Sequence, residues 1–220
     1  MMTREPPIAK TNGHIPANLF NPKLYVRSEI ESGLLETRQG RRLISLPDTL
    51  IHAMYSALER ETGQAARLVL FNVGLWWGKE FYKRLNSEIQ EYYSQSIAQM
   101  SMTMFELLLS QAWIAHGWGR IHLDMSLKDR GLVQVTLKHS TLPGAANRTE
   151  PTSYLEQGIL KSFFAELTGR DLGCVQSECT STGHPHNRFI ITLAKRLDKA
   201  EAWTSKGISH DEMIARLTAS

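Results

Sequence analysis

The period of the apolar residues shifts near Gly117 from mainly helical to mainly alternating, and that shift narrows the available folds more than any other feature. From about Asp48 to Gly117 apolar side chains recur at helical spacing; beyond it paired short runs alternate with polar neighbours, with a further helix between the pairs. Short alternating pieces fill Leu24 to Leu46. Leu50, Ile51, Met54, Ala57 and Leu58 then predict a helix capped by Asp48 and closed by Gly63. A second helix is predicted over about 64–85 and a third over about 97–115, with Gly117 as a left-handed terminus. Ile121, Leu123, Met125 and Leu127, followed after the turn at 128–131 by Val133, Val135 and Leu137, predict an antiparallel hairpin with one buried face. A loop is predicted at 143–151. Next comes a helix over 154–167 with the stripe Leu155, Ile159, Leu160, Phe163 and Leu167, ended by Gly169. Strands at about 172–180 and 187–197 form a second hairpin, and Ser209 with Glu212 makes a capping box for a short terminal helix. Helices first and hairpins later, without regular strand-helix alternation, predict an α+β fold: an antiparallel sheet with helices packed on one face.

With 220 residues, the chain is long enough for one domain with decorations. The reading is a flexible N-terminal arm over 1–21, a main domain over 22–197 and a helical C-terminal extension over 198–220. The 25 basic and 22 acidic side chains leave a formal charge of +3. They are spread along the sequence rather than blocked together, so no nucleic-acid partner is read from them. No stretch supplies the roughly eighteen uninterrupted apolar residues of a spanning helix, and residues 1–10 lack the apolar core of a secretory signal. Two cysteines five positions apart supply no disulfide framework, so the expected compartment is the reducing cytoplasm.

Three segments exceed what an ordinary amphipathic element needs. In the second helix Gly74 and Gly78 share one face, and each costs about 1 kcal/mol relative to alanine in a helix interior. Close approach of another backbone offsets that cost, and tight helix packing ranks ahead of a ligand contact. Around them Trp76, Trp77, Phe81 and Tyr82 widen the apolar surface beyond a single stripe. The third helix repeats the excess with Met104, Phe105 and Trp113 among further methionines and leucines, which suits a core, a dimer interface or a ligand pocket.

The last hairpin is the third. A symmetric turn centred on Gly183 sets Cys179 opposite Asn187, Ser177 opposite Phe189 and Val175 opposite Ile191 on one face, with Cys174 and Glu178 pointing the other way. Cys179, His184, His186 and Cys174 match no common zinc spacing, so a solvated His-Pro-His turn outranks a metal site. No phosphate loop, nucleotide fingerprint or serine elbow is present, and no catalytic residue is assigned. That favours binding over turnover.

The run Glu178 to Phe189 resembles the closing hairpin of 4-vinyl reductase (V4R) domains, in which a Cys, a Gly four positions on, a second Cys four beyond that and a Phe two later recur. Cys179, Gly183 and Phe189 match, and Asn187 stands at the second Cys position. Val73 to Glu80 resembles that family's glycine-spaced helix, and Tyr154 to Gly158 its later helix entry, so the resemblance runs from about 47 to 197. It implies a fold shared with TRAPP vesicle-tethering subunits and a hydrophobic cavity between helices and sheet. The chain is most similar to cyanobacterial V4R proteins associated with photosystem II assembly.

The resemblance thus implies a non-catalytic binder of a hydrophobic small molecule, with a tetrapyrrole such as a chlorophyll precursor or a lipid-like molecule as candidate guests. Trp76, Trp77, Phe81, Met104, Phe105, Trp113, Cys179, Asn187 and Phe189 are the expected lining, with Gly74, Gly78 and Gly183 as structural positions. Implied partners are a second copy or a related V4R protein, and photosystem II assembly intermediates at the thylakoid surface. The alternatives are a dimeric scaffold without a ligand and, ranked last, a reductase of a tetrapyrrole vinyl group, for which the sequence shows no nucleotide or flavin site.

Overall fold

The structure, a computed structural model, describes residues 18–140, 151–198 and 200–219. Residues 1–17 of the expected arm and 143–150 of the expected loop lie outside the described residues. In chain order the elements are α1 (Pro22–Tyr25), β1 (Val26–Glu29), β2 (Leu34–Thr37), β3 (Arg42–Leu43), α2 (Asp48–Thr62), α3 (Ala65–Tyr93), α4 (Met102–Ala115), β4 (Arg120–Asp124), β5 (Val133–Lys138), α5 (Tyr154–Thr168), β6 (Leu172–Glu178), β7 (Asn187–Leu193), α6 (Ala200–Ser205) and α7 (His210–Thr218). The fold is α+β with antiparallel pairing throughout both sheets. Among the described residues no helix is long and apolar enough to cross a membrane.

The chain divides into two compact units, one of residues up to 45 with 83–116, the other of 46–82 with 117 onward. The first unit holds the β1-β2-β3 sheet, the end of α3 and α4. Its buried carboxylate Glu88 accepts from the Tyr25 hydroxyl at 2.9 Å and from Arg84 Nε at 3.2 Å, so the charge is paired rather than stranded. Leu19 and Phe20, at the end of the expected arm, are buried here, and the Leu19 amide donates to the Tyr93 hydroxyl at 3.1 Å. The second predicted helix runs on to Tyr93, because Phe81, Leu85, Ile89 and Tyr93 continue a buried stripe at four-residue spacing and no glycine or proline interrupts it. The third starts late, at Met102: Ser101 accepts from the Met104 amide, and Ile97–Gln99 form a separate 3-10 turn.

The second unit is built on a four-stranded sheet in the order β4-β5-β7-β6. The expected hairpin forms, with Ile121 paired to Leu137 and Leu123 to Val135, but β4 ends at Asp124, so Met125 and Leu127 of the expected alternation lie beyond the strand. α2 begins at its expected cap residue, Asp48, so that Pro47 is the N-cap, and the Asp48 carboxylate accepts from the Thr49 amide at 2.7 Å. α5 packs on the sheet face that carries Phe189 and Gln176. The expected helical extension supplies α6 and α7 to the opposite face, where Ala200, Met213 and Leu217 close over Leu132, Val175 and Ile190. Ser209 caps α7 by accepting from the Glu212 amide.

The last hairpin corrects the predicted register. The Gly183-centred pairing holds at Glu178 with Arg188, but a bulge at Ser177 then shifts it, so that Gln176 opposes Phe189, Val175 opposes Ile190 and Cys174 opposes Ile191. Cys174 therefore shares the Phe189 face, and Val175 turns to the α6-α7 side. A one-residue slip exchanges the two faces of a strand, and the sequence carries no glycine at 177 to announce it. Beyond the bulge, Thr180–Thr182 form a 3-10 turn that Gly183 closes at φ +91°.

Candidate ligand-binding site

Two features of the second unit meet at the start of α5. The first is an open cavity of about 650 Å³ walled by the last turns of α2 (Ser56, Glu59, Arg60), the junction and first turns of α3 (Gly63, Gln64, Ala66, Arg67, Leu70), and Thr152 and Tyr154. Ala66 and Leu70 are buried and give it an apolar floor; the rim is polar. The Arg67 guanidinium stands over the Tyr154 ring, 5.7 Å from its centroid.

The second is a buried polar cluster behind Thr152. The Ser153 hydroxyl accepts from Gln176 Nε2 at 3.1 Å and from Asn187 Nδ2 at 3.2 Å, while the Ser153 amide donates to Gln176 Oε1 at 3.0 Å. Asn187 also donates to Glu156 Oε2 at 3.3 Å and accepts from the Thr180 amide at 2.9 Å, which ties the hairpin loop to the first turn of α5. Because its hydroxyl is used here, Ser153 occupies the α5 N-cap without making a side-chain cap bond. Glu156 takes a further hydrogen bond from the Ser140 hydroxyl. Burial pushes the Glu156 carboxyl up to about 7, against hydrogen bonds from Ser140, Ser153 and Asn187 that favour its ionised form. Tyr55, on α2, has a buried hydroxyl without a hydrogen-bond partner among the described residues, and burial together with the Glu156 charge pushes it up.

Cys179 closes this cluster. Its thiol lies 2.9 Å from the Ser181 hydroxyl, 3.8 Å from that of Ser153 and 3.9 Å from that of Thr152. Burial raises the thiol, but hydrogen bonds from Ser181, Thr152 and Ser153 outweigh it, and the thiol sits below its ordinary value. Cys174 has no such partners among the described residues, and burial pushes its thiol up. Both cysteines are free, and among the described residues no three His, Cys, Asp or Glu side chains are placed to hold a metal. The His-Pro-His turn keeps His186 beside Glu178, at 3.6 Å.

The expected lining residues separate. Cys179, Asn187 and Phe189 are buried together at the end of the last hairpin. Trp77 and Phe81 pack in an aromatic cluster with Trp118 and Phe163, centroids 5.1–6.5 Å apart. Trp76 is 67% exposed. Met104, Phe105 and Trp113 belong to the first unit, where Phe105 and Trp113 are buried. None of the nine lines the 650 Å³ cavity. The glycines serve packing: a Cβ on Gly74 would run into the Leu155 carbonyl and stand 3.0 Å from the Gly158 Cα, and one on Gly78 would meet Ile159. α3 and α5 thus cross backbone to backbone.

Sequence reasoning missed Ser153, Gln176, Glu156, Tyr55 and the α2-α3 junction. Glu156 did leave a signal, since it stands at the spacing of Leu160, Phe163 and Leu167 on a helix face that is otherwise apolar.

Comparison with known proteins gives three findings. Residues 133–193, spanning β5, α5, β6 and β7, match the V4R domain. No curated protein matches the chain. Among solved structures, the phenol-responsive sensory domain of the transcription activator PoxR, in a structure with phenol, superimposes with a TM-score of 0.63 at 17% identity over 86% of this chain and 95% of that one. A vinyl-4-reductase family protein from Methanocaldococcus jannaschii gives 0.47 at 14% identity over 68% and 83%. A trafficking protein particle complex subunit 3 from Naegleria fowleri, covalently bound to palmitic acid, gives 0.48 at 13% over 66% and 92%.

Proposed function

We propose that this protein is a small-molecule-binding module and not an enzyme, and that the cavity against α2, α3 and the start of α5 is where its guest sits. The carrying observation is the cavity itself: its 650 Å³ falls in the range of about 300–1,000 Å³ typical of ligand sites. Its floor is apolar and its rim offers a few polar anchors. The V4R match over 133–193 and the fold likeness to a phenol-responsive domain support the same reading. Native mass spectrometry of the purified protein should detect a retained small molecule or uptake of added hydrophobic probes. Ser56→Trp, which places an indole in the mouth, should expel it. A protein that retains and takes up nothing would overturn the proposal.

The finer form of this reading makes the guest a tetrapyrrole and the role assistance in photosystem II assembly, from the cytoplasm or the thylakoid surface. It rests on the resemblance of the whole chain, with its N-terminal arm and tryptophan-rich helices, to cyanobacterial V4R proteins associated with photosystem II assembly. Protein purified from a photosynthetic host should then show porphyrin-type absorption and carry photosystem II assembly intermediates. A colourless preparation that takes up no added tetrapyrrole counts against it.

A second reading, a dimeric scaffold, is favoured by one observation. Val69, Val73 and Trp76 lie at helical spacing on one face of α3 and are 40%, 50% and 67% exposed. Trp76→Ala should then dissociate the oligomer in sedimentation while leaving probe uptake intact.

A further inference from the structure

We propose that occupancy of the cavity tightens the docking of α6 and α7 on the opposite face of the sheet, with the bulge at Ser177 as the joint between them. This rests on the cavity being the ligand site and adds a regulatory output to it. Consecutive strand residues point to opposite faces, and the bulge fixes which face each takes here. Gln176 reaches the α5 side. Its side-chain amide clasps Ser153 at two points, accepting from the Ser153 amide at 3.0 Å and donating to the Ser153 hydroxyl at 3.1 Å. The same Nε2 donates to the Glu178 carbonyl at 3.1 Å, across Ser177, so the clasp also holds the bulge in shape. Ser153 adjoins Thr152, which lines the cavity and whose hydroxyl donates to that of Ser181 at 3.2 Å in the hairpin loop. A guest seated against Thr152 restrains the segment to which the bulge is clasped.

Ser177 reaches the other side. Its hydroxyl lies 2.6 Å from His210 Nδ1, at the start of α7. Gln134 sets the proton arrangement: its Nε2 donates to Asp124 at 3.1 Å, so its Oε1 faces His210 Nε2 as an acceptor at 2.7 Å. His210 therefore carries its proton on Nε2, and Nδ1 accepts from Ser177. From α6, the Thr204 hydroxyl donates to the Gln176 carbonyl at 3.4 Å. Each C-terminal helix is thereby tied to the bulge itself. Ala200, Met213 and Leu217 grip the sheet through non-directional apolar contact, whereas these bonds respond to a small shift of the bulge. A state in which α7 lifts away loses the Ser177 bond and frees the bulge. A guest that holds residues 152–153 disfavours that state, and by linkage a docked α7 favours the guest.

Amide hydrogen exchange of the full-length protein, with and without saturating 2-naphthylmethanol, tests this, and calorimetric titration scores binding of the probe separately. The probe should slow exchange in α7 by at least about threefold more than in β4, which lies at the other edge of the same sheet from the bulged strand. Ser56→Trp, which blocks the cavity mouth, should abolish the effect. Ser177→Ala should reduce the difference to below about 1.5-fold while the probe still binds. Thr204→Val, which removes the α6 bond, should lower it too and serves where Ser177→Ala fails to fold. Binding with a smaller difference in the unmodified protein, or a difference that survives these substitutions, overturns the coupling and leaves the cavity reading standing. Failure of the probe to bind overturns the two together.

Discussion

Gly74 and Gly158 face each other across the α3-α5 crossing, with the Gly158 Cα 3.0 Å from where a Gly74 Cβ would stand. Either helix must back away to admit a methyl group. Gly74→Ala or Gly158→Ala should therefore destabilise the protein by about 2–4 kcal/mol, although alanine is the better helix former. Gly183→Ala meets no neighbour and should cost about 1 kcal/mol, from its left-handed backbone alone. Urea denaturation of the three variants separates the two mechanisms.

Exposure separates the adjacent tryptophans. Trp77→Ala opens a hole beside Phe81 and Trp118 and should cost about 3 kcal/mol. Trp76→Ala should change stability by less than about 0.5 kcal/mol, since two thirds of that side chain is already in solvent. Thermal melts of parent and variants at a dilution where sedimentation shows each to be monomeric check the contrast.

Asn187 joins the hairpin loop to α5 through Thr180, Ser153 and Glu156. Asn187→Ala leaves the buried Ser153 hydroxyl and the buried Glu156 carboxyl each short of a donor and should cost about 2–4 kcal/mol. It should also speed hydrogen exchange at Thr180, whose amide loses its acceptor.

Glu156 predicts an opposite-signed pH effect from the usual paired carboxylate. Its folded value of about 7 lies above that of an unfolded glutamate, so between about 4.5 and 7 the folded state holds the extra proton, and stability falls as pH rises through that window. Glu156→Gln keeps the shape without the titration. Relative to the parent protein, it should be more stable at pH 8 than at pH 5 by about 1–3 kcal/mol in paired urea titrations; an equal difference at both pH values would count against this.

His210 works in the acid range. Its Nε2 donates to Gln134 Oε1 at 2.7 Å and its Nδ1 lies 2.6 Å from the Ser177 hydroxyl, while burial lowers it to about 4 with Arg188 adding to the shift. Below its unfolded value near 6.5 the unfolded chain takes up a proton that the folded protein refuses, so stability drops as pH falls from 6.5 towards 4. His116, lowered to about 4 in the first unit, has the same sign. His210→Gln should flatten that acid slope by about 1–2 kcal/mol.

Most of the architecture was legible in period alone. The ends of α2 at Gly63 and α5 at Gly169, the first hairpin and the Ser209 cap all follow from local residue types. Less legible were features set by partners distant in sequence. The bulge at Ser177 lets Gln176 reach Ser153, 23 positions away, and the division between Trp76 and Trp77 depends on which neighbours fill the space around α3. The open cavity at the α2-α3 junction left no signal, because the sequence there reads as ordinary polar surface.

None of the fifteen residues of α2 is fully buried, yet this helix supplies one wall of the cavity. A wall anchored so lightly is coupled to its tenant: any molecule that grips both α2 and the better-seated α5 adds adhesion that the empty protein lacks. Occupancy would then register as slower amide hydrogen exchange along α2.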